Sequence, residues 1–142
     1  MEDHYAGEPL LEVFQCTYNL LDQSNLSLGK LIIKEGKQLV LMEVLANGRL
    51  FLNTNYPNYK ALYQRLEGLS EKYEVGIDAV IMRYCMQTLN GALILSGANK
   101  PEHLKQNLKA TFKPFHMFHG AIIGKTHLGD WLVLSYILFE IN

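Results

Sequence analysis

Short apolar runs alternate with longer segments of helical periodicity along the first 112 residues. Three runs are bounded by turn-prone residues, and their length favours buried strands: 11–18, 38–43 and 92–95. Four segments carry apolar residues at helical spacing: 25–35, 59–74, 78–90 and 101–109. Asparagines, a glycine and a proline crowd residues 46–58, which indicates a loop.

Glycine and proline positions predict where the helices begin and end. Gly36 and Gly76 are expected to close the first two helices, and Gly91 the third. Asp78 is expected to cap the third helix, and Pro101 suits the first turn of the fourth. The resulting order, β-α-β-α-α-β-α, predicts an α/β protein with a parallel sheet covered by helices.

Composition narrows the function classes. The chain has 142 residues (16.2 kDa), of which 49% are hydrophobic and 19% charged, with a net charge of −1. These values exclude a disordered chain and argue against a basic nucleic-acid-binding protein. The N-terminus lacks a signal peptide, and the late apolar run from Trp131 to Phe139 is too short to span a bilayer. We therefore expect a cytoplasmic protein, in which Cys16 and Cys85 are free, structural thiols.

Two patterns in the last thirty residues resemble known sites only weakly. Gly120, Gly124, Lys125 and Thr126 lack one residue of the spacing that a phosphate-binding P-loop requires, so a surface turn is favoured. His116 and His119 would share a helix face, but no set of further ligands has zinc-site spacing. No metal site is expected.

Two loops that follow predicted strands are better candidates for a ligand site. In parallel α/β proteins, ligands bind at the carboxyl ends of the strands. The first loop spans residues 42–50. The second spans residues 96–103, where a helix N-terminus and Lys100 favour an anion.

These segments resemble the aldo/keto reductase family over roughly residues 8–112. Glu12–Leu21 looks like the sixth-strand segment, typically VVQVxYNLL, and Leu45–Leu50 looks like the loop after the seventh strand. Ser96–Leu108 is similar to the PGASKPEHLEENL signature after the eighth strand. The resemblance implies the C-terminal part of a (β/α)8 TIM barrel, about strands 6–8 with their helices. A complete barrel has about 250 residues, so this one is incomplete, and residues 113–142 form a tail of unclear structure.

The resemblance also implies a site for the cofactor NADP(H). On the nicotinamide side, Gln15 would bind the carboxamide, Met42 would lie against the ring, and Glu43, Val44 and Leu45 would continue towards the pyrophosphate. On the adenosine side, the implied residues around the ribose and its 2′-phosphate are Gly97, Ala98, Asn99, Lys100 and His103. Gln106 and Asn107 would face the adenine.

The family reduces carbonyl groups, or oxidises alcohols, with NADP(H) and a tetrad of Asp, Tyr, Lys and His. The resemblance gives this chain no counterpart of the tetrad, and Tyr18 matches a different tyrosine. We therefore expect an aldo/keto reductase-like fragment that is inactive alone. Two alternatives stay open: a non-catalytic nucleotide-binding or protein-interaction module, and a truncated gene product. Because three strands of a barrel leave open edges, we expect self-association or a partner that completes the barrel.

Overall fold

The structure is a computed structural model that describes residues 4–5, 8–9, 11–112, 116–119, 123–124, 132–133 and 137–140. Its strands are β1 (His4–Tyr5), β2 (Glu8–Pro9), β3 (Val13–Thr17), β4 (Gln38–Met42), β5 (Leu93–Ile94), β6 (His116–His119), β7 (Ile123–Gly124), β8 (Leu132–Val133) and β9 (Ile137–Glu140). Its α-helices are α1 (Leu26–Lys34), α2 (Lys60–Tyr73), α3 (Ile77–Thr88) and α4 (Pro101–Phe112). Two short 3₁₀ turns, Ala46–Gly48 and Pro57–Tyr59, lie in the predicted loop.

A parallel sheet in the order β3-β4-β5 forms the centre of the fold. The three predicted strands and their parallel arrangement are therefore confirmed. Leu39 and Leu41 of β4 are fully buried on the helix-covered face, where they join the core with Ile81 and Cys85 of α3. Cys85 and Cys16 are both free, as expected.

The four predicted helices are present, but α1 does not bury the face that its leucines suggest. Gly29 and Ile32 are its buried residues, while Leu28 and Leu31 are half exposed. The reason is close approach: a Cβ on Gly29 would lie 3.1 Å from side-chain atoms of both Leu39 and Leu89. The glycine therefore lets α1 pack tightly onto the sheet.

Gly36 ends α1 as predicted, with a φ of +72° and its N–H bonded to the Ile33 carbonyl. The predictions for Gly76 and Asp78 are wrong. Glu74 ends α2 in the left-handed conformation (φ 52°), because turning there lets the Val75 N–H reach the Ser70 carbonyl and buries the Val75 side chain. Gly76 is the N-cap of α3, and Asp78 lies inside the first turn of that helix.

Within the part of the chain that the structure describes, the second face of the sheet is uncovered. Val13 and Leu93 are more than half exposed on this face, as is Leu95, the residue after β5. Each outer strand pairs only with β4 among the described strands, since β1 pairs with β2, β6 with β9 and β7 with β8. The sheet is therefore open at both edges.

The weak motifs of the tail fall largely outside the described residues. Lys125, Thr126 and His127 are not among them. His116 and His119 belong to the strand β6, so the helix face expected for them is wrong. Among the described residues there is no cluster that could hold a metal ion. In the same part of the chain, no helix is long and apolar enough to cross a membrane.

Candidate functional site

A cavity of about 750 Å³ lies at the carboxyl end of the sheet. It opens to solvent, and four segments line it: the turn after β4, the start of α3, the segment after β5 and α4. Its lining residues are Met42, Glu43, Val44, Leu45, Asn47, Gly48, Phe51, Asp78, Met82, Leu95, Ser96, Gly97, Ala98, His103 and Asn107. This is the edge at which parallel α/β proteins bind ligands.

The turn after β4 forms one wall and has an unusual backbone. Glu43, Ala46 and Asn47 all have positive φ angles, at 54°, 51° and 53°. A non-glycine residue in this conformation costs roughly 1–2 kcal/mol. Such a turn persists only where surrounding contacts hold it in place.

Asn19 supplies one of those contacts from the end of β3. Its side chain is buried, and its Nδ2 donates to the Glu43 carbonyl at 3.0 Å. Its Oδ1 accepts from the backbone N–H groups of Leu21 and Asp22, each at 2.9 Å. Asn19 therefore fixes the cavity turn to the neighbouring strand end, a role that its sequence position did not indicate.

A second brace reaches the same turn from α2. Arg49 donates from Nε to the Ala46 carbonyl at 3.0 Å, and the Tyr63 hydroxyl donates to the Arg49 carbonyl at 2.9 Å. The turn after β4 is thus held by Asn19 at one end and by Arg49 and Tyr63 at the other.

The opposite wall is polar and joins α3 to α4. With the Asn107 amide oriented to satisfy its neighbours, its nitrogen donates to Oδ2 of Asp78 at 2.7 Å and to the His103 carbonyl at 3.2 Å. Its oxygen accepts from the Ser96 hydroxyl at 2.9 Å. Gly76 permits this arrangement, because a Cβ at that position would overlap Oδ1 of Asp78.

In the core, Tyr18 and Tyr84 stack at 6.3 Å between ring centroids, with their hydroxyls 3.4 Å apart. Burial raises the pKa of both phenols, most strongly that of Tyr18. Since Tyr18 is 0% exposed, it cannot touch a ligand and has a structural role.

The structure brings eight of the twelve residues of the predicted cofactor site together as cavity lining: Met42, Glu43, Val44, Leu45, Gly97, Ala98, His103 and Asn107. Gln15 lies outside the lining, although its Nε2 donates to Sδ of Met42 at 3.3 Å. Asn99, Lys100 and Gln106 are exposed and do not line the cavity. The ligand roles of all twelve stay predictions.

Four further residues line the cavity that the sequence did not indicate: Phe51, Asp78, Met82 and Leu95. Asp78 and Met82 belong to a helix that follows another helix, so no strand end marked them. Asp78 had only the signal of an acidic residue at a helix start, and such residues usually stabilise the helix itself.

One part of the lining is apolar. Phe51, Met82 and Leu95 contribute apolar side chains, and Ser96 contributes a hydroxyl. Within the described lining there is no lysine or arginine.

The described residues form an open parallel sheet with helices on one face and a cavity at the strand ends. The model of the aldo/keto reductase family matches residues 4–117, and the chain belongs to this family.

Among solved structures, the chain is similar to a point mutant of the protein Gox0644 in complex with NADPH. The TM-score is 0.56 at 18% identity, and the match covers 76% of this chain but 35% of that chain. The likeness shows the fold and identifies this chain as a partial domain. No curated protein sequence matches the chain significantly.

Proposed function

We propose that this chain is the cofactor-binding part of an aldo/keto reductase-type barrel and holds the adenosine end of a nicotinamide adenine dinucleotide. The observation that carries the proposal is the cavity of about 750 Å³, which gathers residues from four separate segments at the carboxyl end of the sheet. By family resemblance, these segments correspond to about strands 6–8 of the barrel.

The cavity walls assign parts of the ligand to different residues. The apolar side chains of Phe51 and Met82 would flank the base. The braced turn at Glu43–Leu45 would follow the pyrophosphate, and Gln15 beside Met42 would meet the nicotinamide. The bound cofactor would supply hydride chemistry, while the chain's own residues bind and orient it.

We do not propose that this chain alone catalyses the reduction of a carbonyl group. The family resemblance gives no counterpart of the tetrad that supplies the proton to the carbonyl oxygen. The assignment of NADP(H) rests on the family resemblance, whereas the cytoplasmic setting is an expectation from the sequence. The solved relative was crystallised with NADPH.

Further βα units of the same kind are the proposed partner of the open sheet. Exposed leucines lie on three neighbouring surfaces: the uncovered sheet face (Leu11, Leu93 and Leu95), α1 (Leu28 and Leu31) and α4 (Leu104 and Leu108). A partner that adds strands at both edges and helices beside α1 and α4 would cover all three. Such units, in the same polypeptide or a separate one, would supply the larger part of the solved relative that the match leaves out.

A titration with dinucleotide tests the binding proposal against an inert fragment. We expect NAD⁺ or NADP⁺ to give a calorimetric binding signal no tighter than about high micromolar, because part of the site lies outside this chain. Ala98→Phe should weaken or abolish the signal by placing a ring in the cavity, whereas Ala61→Phe on the exposed surface of α2 should not. Absence of heat with both dinucleotides on folded protein would overturn the proposal.

A further inference from the structure

We propose that Asn90 is a site of spontaneous deamidation, at which the folded chain converts an asparagine into aspartate and isoaspartate. Asparagine is a chemically labile residue. It is most labile before glycine, because glycine has no Cβ to shield its own backbone nitrogen from the asparagine side chain. The sequence has two such pairs, Asn47 with Gly48 and Asn90 with Gly91. The structure distinguishes them, and the proposal does not depend on the proposed function.

The reaction needs water as its only co-reactant. The Gly91 nitrogen forms a bond to Cγ of Asn90, the bond from Cγ to Nδ2 breaks, and the Gly91 proton leaves with Nδ2 as ammonia. Water then opens the resulting succinimide ring. Opening at Cγ gives aspartate, and opening at the backbone carbonyl of Asn90 gives isoaspartate, whose main chain runs through the side-chain carbons.

The groups that react at Asn90 are accessible. Asn90 and Gly91 lie in the turn between α3 and β5, and both are exposed. The turn is closed by a bond of 3.0 Å from the Ala92 N–H to the Leu89 carbonyl. Within the part of the chain that the structure describes, neither the Gly91 N–H nor the Asn90 side chain makes a hydrogen bond. The Gly91 nitrogen can therefore lose its proton and reach Cγ without the loss of a bond.

Asn47 is also exposed, but the nitrogen that would react with it is held. The Gly48 N–H donates to the Leu45 carbonyl at 3.0 Å. The next bond of the same turn runs from the Arg49 N–H to the Ala46 carbonyl at 3.1 Å. A hydrogen-bonded backbone N–H exchanges its proton only when the bond opens. Deamidation at Asn47 therefore requires local opening of the turn and should be slower.

Deamidation at Asn90 should weaken the fold around β5. The new carboxylate lies just beyond the C-terminal end of α3, where the helix dipole disfavours negative charge. Isoaspartate also inserts an extra carbon atom into the main chain ahead of β5. That strand, Leu93–Ile94, has two residues and pairs with β4. We therefore expect the modified chain to unfold at a lower temperature.

Peptide mapping of the whole chain by mass spectrometry, after incubation in mildly alkaline buffer, tests the proposal. Incubation continues until a sample unfolded in guanidinium has reacted at both pairs. In the folded chain, aspartate and isoaspartate should accumulate at Asn90 at least about threefold faster than at Asn47, because one hydrogen bond contributes a factor of about this size. In the unfolded sample the two pairs should react at similar rates, because neither glycine is then held.

Asn90→Gln is the matched variant, because it keeps the amide, while its additional methylene group disfavours closure of the ring. It should lose most of the ammonia release of the folded chain, and after incubation it should melt at a higher temperature than the unmodified chain incubated in parallel. Thermal melts before incubation establish that the variant is folded, and Asn90→Ser replaces it if it is not. Equal rates at the two pairs in the folded chain, or a faster reaction at Asn47, overturn the proposal. It is also overturned if Asn90 stays intact in the folded chain while it reacts in the unfolded sample.

Discussion

Asn107 of α4 donates a hydrogen bond of 2.7 Å to the carboxylate of Asp78 on α3. The two residues are far apart in sequence, and their bond closes the polar wall of the cavity. Asn107 is 8% exposed, so its amide has little access to water. The bond therefore links the shape of the cavity to the packing of the two helices.

Replacing Asn107 should destabilise the protein. Asn107→Ala leaves the Asp78 carboxylate and the Ser96 hydroxyl without this partner, and a lost buried hydrogen bond to a charged group costs roughly 1.5–3 kcal/mol. Urea unfolding would measure the loss. Asn99→Ala, at an exposed position in the preceding loop, is the control and should change the free energy of unfolding by less than about 0.5 kcal/mol. Equal effects of the two variants would contradict the bonding described here.

Two helical glycines should respond to alanine in opposite directions. Gly29→Ala places a methyl group 3.1 Å from Leu39 and Leu89 in the core, and such overpacking costs roughly 1–3 kcal/mol. Gly68→Ala meets no atom within 4 Å in α2 and should stabilise the protein by roughly 0.5–1 kcal/mol. Thermal unfolding of the pair checks both signs, and a stabilised Gly29→Ala would show that α1 packs less closely than the structure indicates.

Local sequence patterns predicted the elements and the buried face of α2, but they did not predict the buried face of α1. The period of Leu62, Leu66 and Leu69 identifies the buried side of α2, because that helix packs one apolar stripe against the core. In α1 the positions of the leucines suggest the wrong buried face, because Gly29 rather than a large side chain makes the close contact with the sheet.

The candidate site was predicted where it follows strand ends and was missed where it does not. Met42 and Gly97 lie at carboxyl ends of parallel strands, and a general rule identifies such positions. Asp78 reaches the cavity only because α3 crosses beside α4, and that relationship depends on tertiary packing. The hydrogen bond from Asn19 to the Glu43 carbonyl likewise depends on tertiary packing.

Stability should fall in alkaline solution. Burial raises the pKa of the Cys85 thiol from 9.0 to about 12, and it also raises the pKa of Tyr18 and Tyr84. The folded state thus keeps protons that the unfolded state releases, so this stabilisation is complete below pH 9.0 and is lost as the pH rises towards about 12.

Urea unfolding at a series of pH values above 8 measures this loss. Cys85→Ala should give a shallower decline, while Val80→Ala, at a buried position without a titratable group, should lower stability and keep the original slope. A stability that rises with pH in this range would contradict the burial of these groups.

The uncovered sheet face should make the isolated chain associate. Val13 is 60% exposed and Leu93 56% exposed, and both lie on that face. Val13→Lys with Leu93→Lys should reduce association in sedimentation velocity. Leu52→Lys should not, because Leu52 is 82% exposed in the loop after β4, away from the sheet face. A monomer at high concentration that melts cooperatively would show that the face needs no cover.

The isolated chain should not catalyse the reduction of a carbonyl group. General acid catalysis contributes about 10²–10⁴-fold, and the resemblance gives no donor for it here. We expect no oxidation of NADPH or NADH with an activated aldehyde such as nitrobenzaldehyde. Steady oxidation by purified protein that Gln15→Ala abolishes would contradict this expectation.

Amide chemical shifts during titration with NAD⁺ test the central claim, binding of the adenosine group in the cavity, most directly. We predict changes concentrated in the segments that enclose it: residues 42–48, 76–82 and 95–107. The exposed surface of α2 should serve as the internal reference and stay unchanged. Spectra without shifts at millimolar NAD⁺, or shifts concentrated away from these three segments, would contradict the account.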